Sequence, residues 1–366
     1  MEHLMASLQS MVNFIVVISV LIVVHEWGHF ITAKKLGIKV EKFALGFGPK
    51  LFSVIHDNTE FLICAVPLGG YVKMAGDERH LCKGAPDEFY SKSPGHRALV
   101  VVNGPVVNFI LAYVCLILVF ILGYPDLSTK VGQVSEDYPA HQAGMLVGDH
   151  LVRIEGVTVE SWAEVQETIT NSIGETLTVE FVRDGQTLTK ILKPKVEKRE
   201  NIFGQKQVTR IIGIAPTEDI VSLKYSVGES FVKAFEKLVE ITTMTYKALY
   251  FMVTGSMSAK ESMTGPIGIF YIIKTAAEMG LNHLLFIVGV ISASLAIFNL
   301  LPMLPLDGGH LFLLAIEKLR GRPLSAKIDE FIAKVGFGFI IMLAIYVFYS
   351  DFSRFGWIDK IKGFFS

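Results

Sequence analysis

His25, Glu26 and His29 stand together near the start of the chain. Histidines at positions i and i+4 lie one above the other on a single helix face. Placed so, their imidazoles can hold one metal ion at about 2.0–2.1 Å per nitrogen, the distance zinc takes. Glu26 follows His25 directly, projects about 100° further round the helix, and so reaches a water on that metal. This is H-E-x-x-H, a two-ligand metal seat with its own general base, and the pattern of zinc-dependent peptide hydrolysis. Zinc brings the pKa of a bound water to about 7, and the neighbouring carboxylate takes the proton during attack on a peptide carbonyl and returns it to the leaving amine.

The position of the motif adds to its meaning. Residues 11–33 are an apolar run whose only ionisable side chains are these three. A charge at the bilayer centre costs about 2.5–3.5 kcal/mol on insertion scales, so ionisable groups within a span call for a functional reason. A catalytic zinc also takes a third protein ligand and keeps one position for water. Asp307 is the candidate, in Asn299-Leu300-Leu301-Pro302-Met303-Leu304-Pro305-Leu306-Asp307-Gly308-Gly309-His310, with His310 as the competing ligand. Pro302 and Pro305 break a helix and Gly308-Gly309 permits close backbone approach. Irregular backbone at membrane depth is tolerated where it lines a cavity or is buried in protein. An ordinary exit from helix to loop would use the same residues, and that alternative stays open at this point.

The whole chain is built to carry such a site in a bilayer. Of 366 residues, 51% are hydrophobic and 19% charged, with a mean hydropathy of +0.47; soluble domains carry about 25% charged residues. Disorder is excluded, and a net charge of −1 gives no support for nucleic-acid binding. Cys64, Cys82 and Cys115 are scattered, with neither metal-site spacing nor a disulfide framework. Besides 11–33, uncharged apolar runs occupy 98–125 (interrupted by no charge), 284–306 and 335–350. A spanning helix needs about 20 residues, which the first three runs supply and the last reaches with its flanks. No Lys or Arg precedes residue 11 and no small-residue cleavage site follows the run, so it reads as a retained span rather than a signal peptide.

Lys34, Lys35, Lys39, Lys42, Lys50, Lys92 and Arg97 lie between the first two spans, and Lys318, Arg320, Arg322 and Lys327 between the last two. Both loops therefore face the cytoplasm, and both termini and the segment near 126–283 face outward. Residues 130–216 read as a small α+β domain. Strands are expected at 151–154, 177–182 and 187–192, with Asp184-Gly185 as a hairpin turn and a helix over 161–172 capped by Ser161. The stretch from Pro139 to Asp149 (PAHQAGMLVGD) resembles the ligand-side loop of bacterial PDZ domains, which bind peptides by strand addition. Residues 223–253 read as an amphipathic helix, with Phe231, Phe235 and Leu238 opposite Lys233, Glu236 and Lys237.

H-E-x-x-H inside the first span, Asn299-x-x-Pro302-x-x-x-x-Asp307-Gly308 in a later one and a PDZ-like insert together resemble the site-2 protease family of intramembrane zinc metalloproteases, in its bacterial RseP type. The similarity includes Gly46-Phe47-Gly48, Pro67-Leu68-Gly69-Gly70-Tyr71-Val72-Lys73-Met74, Asn103-Gly104-Pro105-Val106-Val107-Asn108 and Gly265-Pro266. It implies that His25, His29 and Asp307 hold Zn2+, that Glu26 is the catalytic base, and that Asn299 and Pro302 help to position substrate. It also implies a β-structured loop dipping into the membrane, with strands at 40–47 and 61–74 and a substrate-pairing edge near Gly69, Gly70 and Tyr71. One departure is that relatives with two tandem PDZ domains are known, whereas this chain has room for one.

The expected fold is a polytopic α-helical membrane protein with four transmembrane helices, a membrane-associated β-loop and one extracytoplasmic PDZ domain. Its expected parts are a first span (1–36), a cytoplasmic-side β region (37–96), a second span (97–125), the PDZ domain (126–218), an extracytoplasmic amphipathic helix and linker (219–282), a third span with the aspartate (283–308), a cytoplasmic loop (309–333) and a fourth span with tail (334–366). The expected activity is cleavage of transmembrane segments of single-span proteins in the bacterial cytoplasmic (inner) membrane. Pre-cleaved anti-sigma factors in stress responses and remnant signal peptides are the substrates that the resemblance implies. Expected partners are those substrates, the lipid bilayer and a peptide or protein ligand of the PDZ domain. Two other readings remain: a metal or proton transporter, which would normally show internal repeats, and a PDZ-bearing adaptor without activity, which would need no buried Glu26.

Overall fold

Helix α1 (Glu2–Lys35) carries the histidine motif in one unbroken rod, closed by Lys34 and Lys35 in its last turn. Cations there oppose the negative end of the helix dipole. The chain then turns through Gly37 at φ +65°, and Ile38 N–H bonds back to Ala33 C=O at 2.9 Å. This is a computed structural model, and it describes residues 2–79, 82–201, 203–258, 262–322 and 324–355. The chain forms two compact units: Met1–Ile117 with Val232–Tyr246 and Ala259–Ser366, and Leu118–Phe231 with Lys247–Ser258.

In the first unit α1 crosses α2 (Pro94–Leu122) where two glycines meet. A Cβ on Gly28 would collide with the backbone of Asn103 and Gly104. Small residues permit this approach in membrane helices, where packing and interhelical hydrogen bonds drive association. The Asn103 amide seals the crossing by donating to Gly28 C=O at 3.0 Å and to Thr32 Oγ1 at 2.6 Å. Further helices of this unit, among the described residues, are α6 (Pro266–Met279), α7 (Leu281–Asn299), α8 (Asp307–Arg320) and α9 (Ala326–Arg354). Among the described residues four helices are long and apolar enough to cross a membrane: α1, α2, α7 and α9.

Between α1 and α2 lie β1 (Val40–His56) and β2 (Thr59–Met74), joined by Asp57-Asn58 with both residues at positive φ, as a tight hairpin requires. Both strands fold over on themselves. Ala44 pairs with Leu62 on one side and Tyr71 on the other, and Leu45 with Ile63 and Gly70. Residues 42–45 are thus central, and 70–74 form an edge with no further strand among the described residues. β1 runs well past the expected 40–47, because the bend at Gly46 (φ +87°) does not end it, whereas β2 covers the expected 61–74 and begins slightly earlier, at Thr59.

The second unit is a small α+β domain. Its sheet has the order β6-β5-β7-β8, from β5 (His150–Ile154), β6 (Val157–Thr158), β7 (Leu177–Arg183) and β8 (Gln186–Leu192). Helix α4 (Trp162–Asn171) buries Trp162, Val165 and Ile169 against that sheet's Leu151, Val179 and Phe181. Its N-cap is Ser161, whose side chain accepts from Glu164 N–H, as the sequence suggests. In the 139–149 loop, Asp149 is almost fully buried, takes a two-pronged ion pair from Arg183 at 2.7 Å, and accepts Leu146 N–H.

Some boundaries differ from expectation, each for a tertiary reason. The amphipathic helix, α5 (Val227–Val253), begins four residues after 223 because Ile220–Leu223 is a strand, β12, paired with β3 (Tyr124–Leu127). The expected linker before 282 contains α6, and the expected cytoplasmic loop 309–333 holds most of helix α8 and the start of α9. The third apolar helix ends at Asn299, so Asp307 lies outside it and opens the next helix.

Candidate metal centre

The helical repeat of α1 stacks the two motif imidazoles with centroids 4.8 Å apart and planes at 88°. Each ring has a distinct partner at Nδ1. His29 Nδ1 lies 2.9 Å from Val100 C=O on α2, which accepts its proton and leaves Nε2 with a free lone pair. His25 Nδ1 lies 3.4 Å from the side-chain amide of Asn108, also on α2. The Nε2 atoms are thereby turned towards one point, 3.3 Å apart. Gly104 makes room for them, since a Cβ there would meet both rings, His25 Cε1 at 2.9 Å among them.

Asp307 arrives from the opposite side of the sequence. The 300–306 break, with Pro302 and Pro305, redirects the chain after α7. Gly308 and Gly309 then let α8 start directly against that break, where a Cβ would strike the backbone of Leu300, Leu301, Met303 and Leu304. The first residue of α8 is therefore pinned, and its carboxylate Oδ2 reaches 3.2 Å from His25 Nε2 and 3.5 Å from His29 Nε2. Among the described residues, His25, His29 and Asp307 are the group whose ligand atoms all lie within 4.8 Å of one another. Asp307 Oδ2 is buried and has no hydrogen-bond donor. A buried carboxylate oxygen without a hydrogen-bond partner, set close to two imidazole nitrogens, is satisfied by a divalent cation among the three. Two histidines and one carboxylate are a set that zinc accepts, with a position left for water.

A cavity of about 540 Å³ opens onto this cluster, lined by the three residues and Glu26 together with Gly70, Tyr71, Asn299, Pro305 and Leu306. The open edge of β2 lies beside Glu26: the Cβ position of Gly70 is 3.2 Å from Glu26 Cγ, and Val72 lines the same cavity. Of the residues expected to bind substrate, Asn299, Gly70 and Tyr71 line the cavity, whereas Pro302 and Gly69 do not. Pro302 belongs to the chain break and Gly69 to a bend packed on the Phe47 ring. The competing ligand His310 lines the cavity without joining the ligand cluster. Asp77 and Glu78 also line the cavity; burial pushes the Asp77 carboxyl above the usual carboxylate range, against the opposing pull of its hydrogen bond from Met74 N–H.

Sequence reasoning assigned no role to Val100, Gly104 or Asn108. The only signal for them is the glycine and the two asparagines in Asn103-Gly104-Pro105-Val106-Val107-Asn108, within an otherwise apolar helix.

Comparison with known proteins agrees with this geometry. The model of peptidase family M50 matches residues 13–343. A Clostridium acetobutylicum protein assigned as a zinc metalloprotease is 34% identical over 342 residues, covering 92% of this chain and 95% of its own. A Campylobacter jejuni protein with the same assignment is 32% identical, covering 93% and 92%. Zinc metalloprotease RasP of Oceanobacillus iheyensis is 27% identical over 425 residues, covering 94% and 99%. The clustered ligands, the apolar helices and these relatives lead to one conclusion: the chain belongs to peptidase family M50, the site-2 protease family, and is a multi-pass membrane zinc metalloprotease.

Proposed function

We propose that this protein is an intramembrane endopeptidase that cuts single-span membrane proteins within their transmembrane segments. One observation carries the reading: ligands from α1 and from the start of α8 converge beside a general base, and α1 is itself apolar enough to span a bilayer. His25, His29 and Asp307 hold the zinc. When bound, the metal supplies an acidified water and a Lewis acid for the scissile carbonyl. Glu26 takes the proton of the attacking water and delivers it to the leaving amine.

A helical substrate satisfies its own backbone hydrogen bonds, so it must unwind locally before a peptide bond becomes accessible. The open edge at 70–74 offers backbone groups to the unwound strand, with Tyr71 and Asn299 on the cavity wall beside it. Phe47, Leu51, Phe52, Val54 and Ile55 are exposed on the same β structure, which suits it to lie against lipid. Four spans, two cytoplasmic basic loops and outward-facing termini complete the arrangement in a bacterial cytoplasmic membrane. The second unit acts as a PDZ domain: its buried Asp149 and Arg183 hold the 139–149 loop, and strand addition would bind a peptide or protein ligand. Substrates already shortened by another protease, such as anti-sigma factors and remnant signal peptides, are those that such a domain admits.

Purified protein in detergent, given a single-span model substrate, tests the reading. Wild type should cleave it, and Glu26→Gln should be slower by about 10²–10⁴-fold with its zinc retained. Equal cleavage by both forms would remove Glu26 from the chemistry. A wild type that binds no zinc would sink the site.

A further inference from the structure

His25 of α1, Asn108 of α2 and Ser292 of α7 form a polar line through three apolar helices. Asn108 and Ser292 are fully buried. The Ser292 hydroxyl donates to the Asn108 backbone carbonyl at 2.8 Å, which fixes the height of Asn108 in the bundle. The Asn108 side-chain amide then lies 3.4 Å from His25 Nδ1, with Nδ2 as the nearer atom and Oδ1 buried without a partner. A buried amide oxygen with no donor is unfavourable.

The nitrogen and oxygen of an amide are nearly indistinguishable by shape, so the hydrogen-bond network decides which faces the ring. An amide N–H pointing at Nδ1 would force the His25 proton onto Nε2, the atom that faces His29 Nε2 and Asp307 Oδ2. That tautomer cannot bind a metal there. Turning the amide over removes that conflict. Oδ1 gains the Nδ1–H as its donor, and Nε2 presents a lone pair to the other two ligands.

We infer that Asn108 is the hydrogen-bond acceptor that sets the tautomer and ring orientation of His25 for zinc. It is a positioning residue, and the inference rests on the proposed role of His25 as a ligand. The two histidines are then served differently: His29 by a backbone carbonyl, Val100, and His25 by a side chain that substitution can change. Outer partners of this kind are worth about 10–100-fold in metal affinity.

Zinc affinity of the full-length protein in detergent, measured by competition with a chromophoric chelator, tests this independently of proteolysis. Asn108→Ala should bind zinc about 10–100-fold more weakly. Asn108→Asp, which offers an acceptor and no amide donor, should hold the wild-type affinity. Ser292→Ala, which loosens the same helix contact without touching His25, should also hold it while melting at a lower temperature. Weaker binding by Asn108→Asp than by Asn108→Ala would show that the amide donates, and would overturn the inference. So would wild-type affinity in Asn108→Ala, or an equal loss in Ser292→Ala. His25→Ala is the control for the premise: if it keeps zinc, the ligand assignment fails and the inference with it. If it loses zinc while the Asn108 variants do not, the inference alone fails.

Discussion

Two aspartates of the first unit are both largely buried, and their surroundings are opposite. Asp351, near the end of α9, is 1% exposed. Its Oδ1 accepts Gly265 N–H and its Oδ2 accepts Ile267 and Gly268 N–H, all at 3.0 Å. These are unsatisfied donors at the start of α6, whose own N-cap is a glycine without a side chain to cap them. Asp351 is thus a helix cap supplied from another helix. Asp307 Oδ2 has no donor and faces two imidazole nitrogens. The comparison separates architecture from chemistry: a buried carboxylate saturated by backbone N–H groups holds elements together, and one aimed at other electron-pair donors is built for a cation.

Exchanging the two roles gives the largest expected effect. Asp307→Ala should abolish cleavage and lose stoichiometric zinc, and its melting temperature should no longer respond to a chelator. Wild type, by contrast, should be destabilised by zinc removal by about 2.7 kcal/mol if free zinc stood at 100 times its Kd. Elemental analysis and thermal melts with and without chelator check both. A zinc-replete Asp307→Ala would end the distinction.

Asp351→Ala should do the reverse. Each buried donor left unpaired costs about 1–3 kcal/mol, so melting should fall markedly while zinc stoichiometry and the chelator response persist. A variant that kept its melting temperature and lost zinc would show that the cap serves the metal site.

A third test sharpens the contrast at the helix crossing. Gly104→Ala puts a methyl group against both imidazoles and should weaken zinc binding, as read by chelator competition. Gly95→Ala, on the same helix with open space around it, should leave zinc binding at the wild-type value. The effect should be smaller than loss of Asp307, because the rings can shift where a missing ligand cannot be replaced.

How far the site is legible before folding depends on how local its geometry is. His25, Glu26 and His29 are set by the helical repeat alone, and the membrane cost of their charges explains why they must act. Asp307 could be nominated from its Pro and Gly neighbours, with His310 beside it in contention. Choosing between them took the pinning of Gly308 and Gly309 against the 300–304 backbone, a contact with no periodic signal. The same holds for α8, which lies in the stretch read from its basic residues as a cytoplasmic loop, and for Pro302 and Gly69, which bend the chain without lining the cavity. Val100, Gly104 and Asn108 matter because α2 crosses α1 at Gly28, and no pattern within α2 announces that crossing.

The sequence by itself determined the apolar helices, the stacked pair of imidazoles with Glu26 beside them, and the small α+β unit with its capped helix and Asp184-Gly185 turn, now seen with both residues at positive φ. All of these follow from interactions within a few residues or from hydropathy over one helix length. Tertiary structure alone decided that Asp307, and not His310, comes to the two imidazoles, which strand edge lies against Glu26, and which groups of α2 stand beside each imidazole. Those depend on where separate segments pack, and side chains about 280 residues apart, such as His25 and Asp307, acquire a 3.2 Å relation only when the helices carrying them have closed together.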